Sequence, residues 1–264
     1  MKQIDFPLLE AIFPVVRNVA DFMRSEINRI SSDAIETKSL NSLVSFVDKQ
    51  AEEMLVATLQ DVFPEAGFIT EEETIVTERK SYNWIIDPLD GTTNYLHGIP
   101  VYAISVALEH EGEVVLGIVY EVGRDECFYA IKGKGAFLNG KPIRVSTHTQ
   151  LKDCLIATGF PYHDFDRMQN FLALLTACFK STRGVRRIGT AATDLVYTAA
   201  GRFDAFFEYG LSSWDVAAGS LIASEAGALV TDFSGGNNFL FGNEILVVQP
   251  SVDKAFTGLM KECF

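Results

Sequence analysis

Apolar residues recur at helical spacing near the amino terminus. Leu8, Leu9, Ile12, Val15, Val16, Val19, Phe22 and Met23 share one face of a 3.6-residue repeat, which predicts a long helix over residues 5–30. Pro14 inside it marks a kink or a break. A second helix is expected over 48–62, stopped before Pro64. The pattern then changes to short apolar runs. Phe68-Ile69-Thr70 leads into Glu71-Glu72-Glu73, and Trp84-Ile85-Ile86 ends in Asp87-Pro88. Proline has no N–H to donate, so a sheet ladder is expected to stop there. Residues 102–108 and 114–120 alternate around His110-Glu111-Gly112, a hairpin pattern. Strands follow at 127–131 and 136–138, with Asn139-Gly140 as a turn. Beyond residue 146, strands at 155–158, 203–207 and 245–248 alternate with helices at 167–180, 190–200 and 216–226. The pattern is mixed α/β, built in layers, with a soft subdivision near 146–151.

Composition narrows the class. The chain has 264 residues, 48% hydrophobic and 22% charged, as in ordinary globular proteins. No apolar run approaches the ~18 residues that span a bilayer, and the first residues lack a signal-peptide pattern. A cytoplasmic location and no membrane partner are expected. Cys127, Cys154, Cys178 and Cys263 are scattered, which suits buried apolar thiols better than disulfides or a zinc site. The net charge of −13 argues against a nucleic-acid partner. An acidic protein that binds a small phosphate ester needs local positive charge, which bound metal can supply.

Candidate chemistry gathers where apolar runs end in acids. Glu71-Glu72, Asp87, Asp90 and Asp215 all stand at such ends. Each has a bland reading when taken alone: a solvated acidic turn, a turn former, a first-turn residue favouring the helix dipole. Together they suggest a cluster whose mutual repulsion a hard divalent cation relieves. Asp90 is followed by Gly91-Thr92-Thr93, a turn able to open a helix whose free N–H groups bind phosphate.

These residues resemble the inositol monophosphatases, within the lithium-sensitive, Mg²⁺-dependent phosphatase superfamily. Trp84-Ile85-Ile86-Asp87-Pro88-Leu89-Asp90-Gly91-Thr92-Thr93-Asn94-Tyr95 is similar to that family's first signature, and Trp214-Asp215-Val216-Ala217-Ala218-Gly219 to its second. Ile69-Thr70-Glu71-Glu72, Gly133-Lys134-Gly135-Ala136-Phe137-Leu138-Asn139-Gly140 and Gly189-Thr190-Ala191-Ala192 fit further family segments. The resemblance implies a layered α/β/α/β/α sandwich: one catalytic unit, 1–264, with a metal- and phosphate-binding half (1–146) and a substrate-side half (147–264).

It also implies roles. Glu71, Asp87 and the Leu89 carbonyl would bind one Mg²⁺, and Asp87, Asp90 and Asp215 a second; Glu71 would share a third, weaker ion. Glu72 would orient a water held by metal. Asp48 and Thr92 would position the attacking water, and the amides of Gly91 and Thr92 would hold phosphate. Asp90, Ala191 and Glu208 would contact the substrate alcohol. The activity implied is hydrolysis of an inositol monophosphate or a related sugar or polyol phosphate, with lithium inhibition and a homodimer. Thr93-Asn94 resembles the inositol monophosphatase branch, because the nucleotide-bisphosphate branch tends to carry Lys at position 93 and the histidinol-phosphate branch often Arg. Fructose 1,6-bisphosphate stays a second candidate.

Three features stand apart. Ser42 occupies a position where the family usually has Asp, and Lys38 is an uncertain match to a loop lysine. Arg183-Gly184-Val185-Arg186-Arg187 is a basic patch, read as structural ion pairing in preference to substrate binding. His163-Asp164 reads as a surface turn.

Overall fold

The first helix, α1, spans Phe6–Glu26, with Asp5 as its N-cap accepting from the Phe6 N–H at 2.8 Å. This computed structural model describes residues 4–27, 35–39, 42–162 and 164–264, and only the backbone of 35–39 and 42–44. Ile30, His163 and the side chains of Lys38 and Ser42 therefore lie outside the described residues. Pro14 does not break α1, which runs on through it to Glu26. It lies on the exposed face, where water can satisfy the carbonyl it leaves unpaired, while Leu9, Ile12, Val15, Val16, Val19 and Met23 anchor the buried face. A hairpin of β1 (Ile35–Ser39) and β2 (Ser42–Ser45) leads into α2 (Phe46–Val62), which packs on α1.

Seven strands follow in spatial order equal to chain order: β3 (Gly67–Thr70), β4 (Tyr82–Asp90), β5 (Ala103–His110), β6 (Glu113–Glu121), β7 (Glu126–Ile131), β8 (Ala136–Leu138) and β9 (Lys141–Pro142). The β3–β4 pair is parallel and the rest are antiparallel. A five-residue helix, α3 (Thr92–Leu96), separates β4 from β5. The expected stop at Pro88 is corrected: the ladder slips rather than ends. Asp87 faces Ser105 and Asp90 faces Ala103, so one extra residue bulges out on β4. The bulge accommodates a residue that cannot donate, and pairing resumes at Asp90. The hairpin turns Glu111-Gly112 and Asn139-Gly140 have both residues at positive φ, as a two-residue hairpin turn requires.

The second sheet has the order β11-β10-β12-β14-β13, from β10 (Leu155–Thr158), β11 (Gly184–Arg186), β12 (Ala205–Tyr209), β13 (Leu229–Thr231) and β14 (Glu244–Val248). Four helices lie among these strands: α4 (Met168–Ser181), α5 (Ala191–Ala199), α6 (Ser213–Glu225) and α7 (Asp253–Lys261). Period-two alternation sorts the strand residues into three cores. Ile104, Val106 and Leu108 of β5 meet α1 and α2, whereas Ala103 and Ala107 face α5 and α6. Phe206 of β12 faces the same middle layer, while Ala205, Phe207 and Tyr209 face α4 and α7. Helices therefore cover both outer faces and fill the centre, giving the layered α/β/α/β/α architecture expected.

Within the middle layer, α6 is apolar on nearly all sides and largely buried, as a helix enclosed by other elements must be. Small residues set its approach. A Cβ at Gly117 would lie 2.8 Å from the Ala218 carbonyl oxygen, and one at Gly219 would lie 2.6 Å from the Leu195 side chain. Overpacking at such points costs about 1–3 kcal/mol.

Candidate metal and substrate site

The acidic residues come together because each leaves the end of an element in the same region. Asp87 and Asp90 stand at the carboxyl end of β4, Glu71 follows β3, and Asp215 lies in the first turn of α6. Carboxylate oxygens of Asp87, Asp90 and Asp215 all lie within 4.8 Å of one another. Glu71 stands within hydrogen-bond reach of Asp87.

Local structure aims each group. Asp87 Oδ1 accepts from the Leu89 N–H at 2.9 Å, closing a tight turn through Pro88. One Asp215 oxygen accepts from the Ser212 N–H at 2.6 Å in a capping box. The bland helix-start reading of Asp215 is correct for that oxygen, and the other remains for the cluster. Asp48 behaves likewise at the start of α2. Its Oδ2 accepts from the Ser45 N–H at 2.8 Å and the Ser45 hydroxyl at 2.7 Å, while Oδ1 lies 3.0 Å from the Thr92 hydroxyl. That hydroxyl also lies 3.0 Å from the Leu89 carbonyl. Asp90 Oδ2 accepts from the Ala192 N–H at 2.7 Å and from the Thr190 hydroxyl, so β4 is tied to the amino end of α5.

Electrostatics make this arrangement costly without a cation. Burial, then repulsion from Glu71, Asp90 and Asp215, pushes Asp87 well above the carboxylate range. Burial, then Asp90 and Glu71, does the same to Asp215. Burial raises Asp90 to about 6, although the bonds from Thr190 and Ala192 pull the other way. Burial also raises Asp48 against the bonds from Ser45 and Thr92. The donors are all oxygens, several of them carboxylates, a set that fits a hard divalent ion such as Mg²⁺. Asp87, Asp90, Asp215, Glu71 and the Leu89 carbonyl could hold it.

Beside the cluster opens a cavity of about 340 Å³, within the range of small-molecule sites. Glu71, Asp90, Asp215, Ala191 and Glu208 line it, together with Thr190, Asp194 and Arg187. Gly91 caps α3 at φ 94°, a conformation that suits glycine, and no side chain caps that helix. The Gly91 and Thr92 N–H groups find no acceptor among the described residues.

The chain matches the Inositol monophosphatase family over residues 6–262. It belongs to that family. Among similar proteins, the Putative Nus factor SuhB of Neisseria meningitidis serogroup B is 42% identical over 247 residues, 93% of this chain and 95% of that one. The Inositol-1-monophosphatase of Mesorhizobium japonicum is 37% identical, covering 97% of this chain and 96% of its own. Of solved structures, the extragenic suppressor protein suhB from Bartonella henselae superposes with a TM-score of 0.91 at 36% identity, covering 98% of this chain and all of that one. The Thermotoga maritima IMPase gives 0.86 at 33%, covering 100% and 98%.

Of the expected site residues, Glu71, Asp90, Ala191, Glu208 and Asp215 line one cavity, Asp87 joins the cluster, and Thr92 meets both Asp48 and Leu89. Glu72 does not line the cavity; its N–H is held by Glu52 Oε2 at 2.8 Å. The basic patch divides. Arg183 pairs with Asp153 at 3.5 Å, as the structural reading expects. Arg187 instead lines the cavity and stacks 5.2 Å from the Phe160 ring and 5.5 Å from Tyr162. Sequence reasoning missed Thr190, Asp194 and Glu52. Thr190 at a helix start carried a capping signal, whereas nothing in the local sequence marks Asp194 or Glu52.

Proposed function

We propose that the chain is a Mg²⁺-dependent phosphomonoesterase that hydrolyses an inositol monophosphate, or a related sugar or polyol phosphate, to the free alcohol and phosphate. The observation that carries this reading is the trio Asp87, Asp90 and Asp215, with carboxylate oxygens within 4.8 Å and charges that burial and mutual repulsion destabilise. Two or three ions bind there, held by these residues with Glu71 and the Leu89 carbonyl. When bound, the metal supplies the positive charge that makes water nucleophilic and offsets charge on the leaving oxygen.

The chain's own groups do the rest. The open N–H groups of Gly91 and Thr92 receive the phosphate oxygens. The Thr92 hydroxyl, fixed between Asp48 and Leu89, orients the attacking water, and the Asp48 carboxylate draws its proton away. Glu72, next to Glu71 in the loop after β3 and outside the cavity lining, takes a supporting role in orienting that water. As the new P–O bond forms, the bond to the alcohol breaks, and the alcohol oxygen takes up a proton from solvent water. Asp90, Ala191 and Glu208 contact the alcohol.

Lithium inhibition and a cytoplasmic location belong to the same reading; no helix among the described residues is long and apolar enough to cross a membrane. So does a homodimer. Leu172 and Phe179, seven residues apart on α4, and Phe165 just before that helix are all exposed, apolar surface suited to a second copy. A second reading is a binding role, suggested by the name Nus factor that several relatives bear. The test is phosphate release from inositol 1-phosphate with and without Mg²⁺, for the native chain and Asp90→Asn. Metal-dependent turnover that the substitution abolishes is expected; equal, metal-independent rates favour the binding role.

A further inference from the structure

The geometry points to Asp194 as a second residue that recognises substrate hydroxyls, working as a pair with Glu208 on one cavity wall. The inference rests on the phosphatase reading above and names the alcohol part of its substrate.

Asp194 lies in the first turn of α5 and is 1% exposed. Its Oδ1 is buried with no hydrogen-bond partner, yet the residue lines the cavity beside Glu208. Glu208, from β12, is 7% exposed and accepts no side-chain hydrogen bond among the described residues. Its carboxylate lies where a Cβ on Gly159 would sit, so glycine there is what gives it room. Glu208 is close enough to Asp194 to disfavour its charge.

A buried carboxyl with an idle oxygen is expensive, by up to a few kcal/mol for the missing bonds alone. Two bland accounts do not cover the cost. A helix-dipole role needs no burial, since exposed first-turn acids serve it. An ion pair with Arg187 is not made: that guanidinium lies on the same wall, but its Nε is buried without a partner, and no Arg187 ion pair within 4.0 Å occurs among the described residues. The partner both acids lack is a ligand that brings its own donors. Two neighbouring acceptors match an alcohol with two neighbouring free hydroxyls. An ester of a simple monohydric alcohol or a phenol would leave both acids unpaired, and a site so built discriminates strongly against it.

The test compares kinetics in Mg²⁺ on inositol 1-phosphate and on phenyl phosphate, which has no free hydroxyl. For Asp194→Leu, kcat/KM on inositol 1-phosphate is expected to fall about 10- to 100-fold more than on phenyl phosphate, with the loss mainly in KM. Asp194→Asn, of equal volume and with an oxygen that still accepts, is expected to lose less and to keep the same direction. It carries the test alone if the leucine variant does not fold. Equal fractional losses on both substrates, or none on either, overturn the inference while leaving the phosphatase reading intact. A native chain that releases phosphate from neither substrate overturns both.

Discussion

The charge cluster makes an unusual demand on the metal-free protein: removing a functional carboxylate should strengthen the fold. Asp90→Asn isolates the effect. A carboxyl raised from the ordinary 3.8 to about 6 costs the folded, ionised protein at most about 3 kcal/mol. The substitution keeps the neighbouring bonds. Both the Thr190 hydroxyl and the Ala192 N–H donate to the same oxygen, Oδ2, which an asparagine carbonyl can replace. The substitution also removes one negative charge from a cluster in which the Asp87 and Asp215 carboxylates lie within 4.8 Å.

The sign follows from linkage. The folded protein holds the Asp90 proton more tightly than the unfolded chain does, so this carboxyl weakens the fold as pH rises from about 4 through 6, and the penalty is complete at neutral pH. At about 2–4 °C per kcal/mol for a chain of this size, Asp90→Asn is expected to raise Tm in EDTA by several degrees at pH 7.5, and by less at pH 5. Mg²⁺ should stabilise the native chain strongly at pH 7.5 and the variant little. Thermal unfolding followed by circular dichroism, in EDTA and in Mg²⁺ at both pH values, reads all of this. A variant less stable than the native chain in EDTA at pH 7.5, or one that keeps the full Mg²⁺ response, would refute the reasoning.

Three further outcomes are expected. Thr92→Val cuts the link to Asp48 and Leu89; steady-state kinetics should show kcat down about 100-fold with KM nearly unchanged. Glu52 is fully buried and accepts from the Glu72 N–H, the Thr74 N–H and the Thr74 hydroxyl at 2.7–2.8 Å, which pins the loop carrying Glu71. Glu52→Ala should cost about 2–3 kcal/mol in denaturant unfolding and raise the Mg²⁺ concentration needed for half-maximal activity. Gly159→Ala pushes a methyl into the Glu208 carboxylate; KM for inositol 1-phosphate should rise at least about 10-fold, and an unchanged KM would remove Glu208 from substrate recognition.

What the sequence shows of this molecule depends on whether the signal is local. The hairpins declared themselves because Glu111-Gly112 and Asn139-Gly140 must take positive φ whatever surrounds them. Residues 136–138 and 155–158 were placed to the residue for the same reason: their alternation is bounded by turns. The short strands β11 and β13 and the helix α7 were not foreseen, since β11 and β13 are held by their neighbours β10 and β14 rather than by their own composition. Pro88 misled, because a missing N–H forbids a ladder bond at one residue and not the ladder beyond it.

The same distinction explains the site. Asp48 and Asp215 each occupy the third position of a capping box, a pattern whose structural purpose is sufficient on its own. A carboxylate has two oxygens, however, and in both residues the cap uses one. The cap fixes the direction of the other oxygen without any side-chain packing of its own, which is how a first-turn acid comes to be aimed at Thr92 or at the Asp87–Asp90 pair. Asp194 lies one residue further into its helix, beyond the Thr190 cap, and makes no capping bond, so its Oδ1 is left without a partner and the local sequence offers no sign of it. Its position becomes informative only once β12 brings Glu208 beside it, a contact between residues 14 apart that no helical or strand period connects.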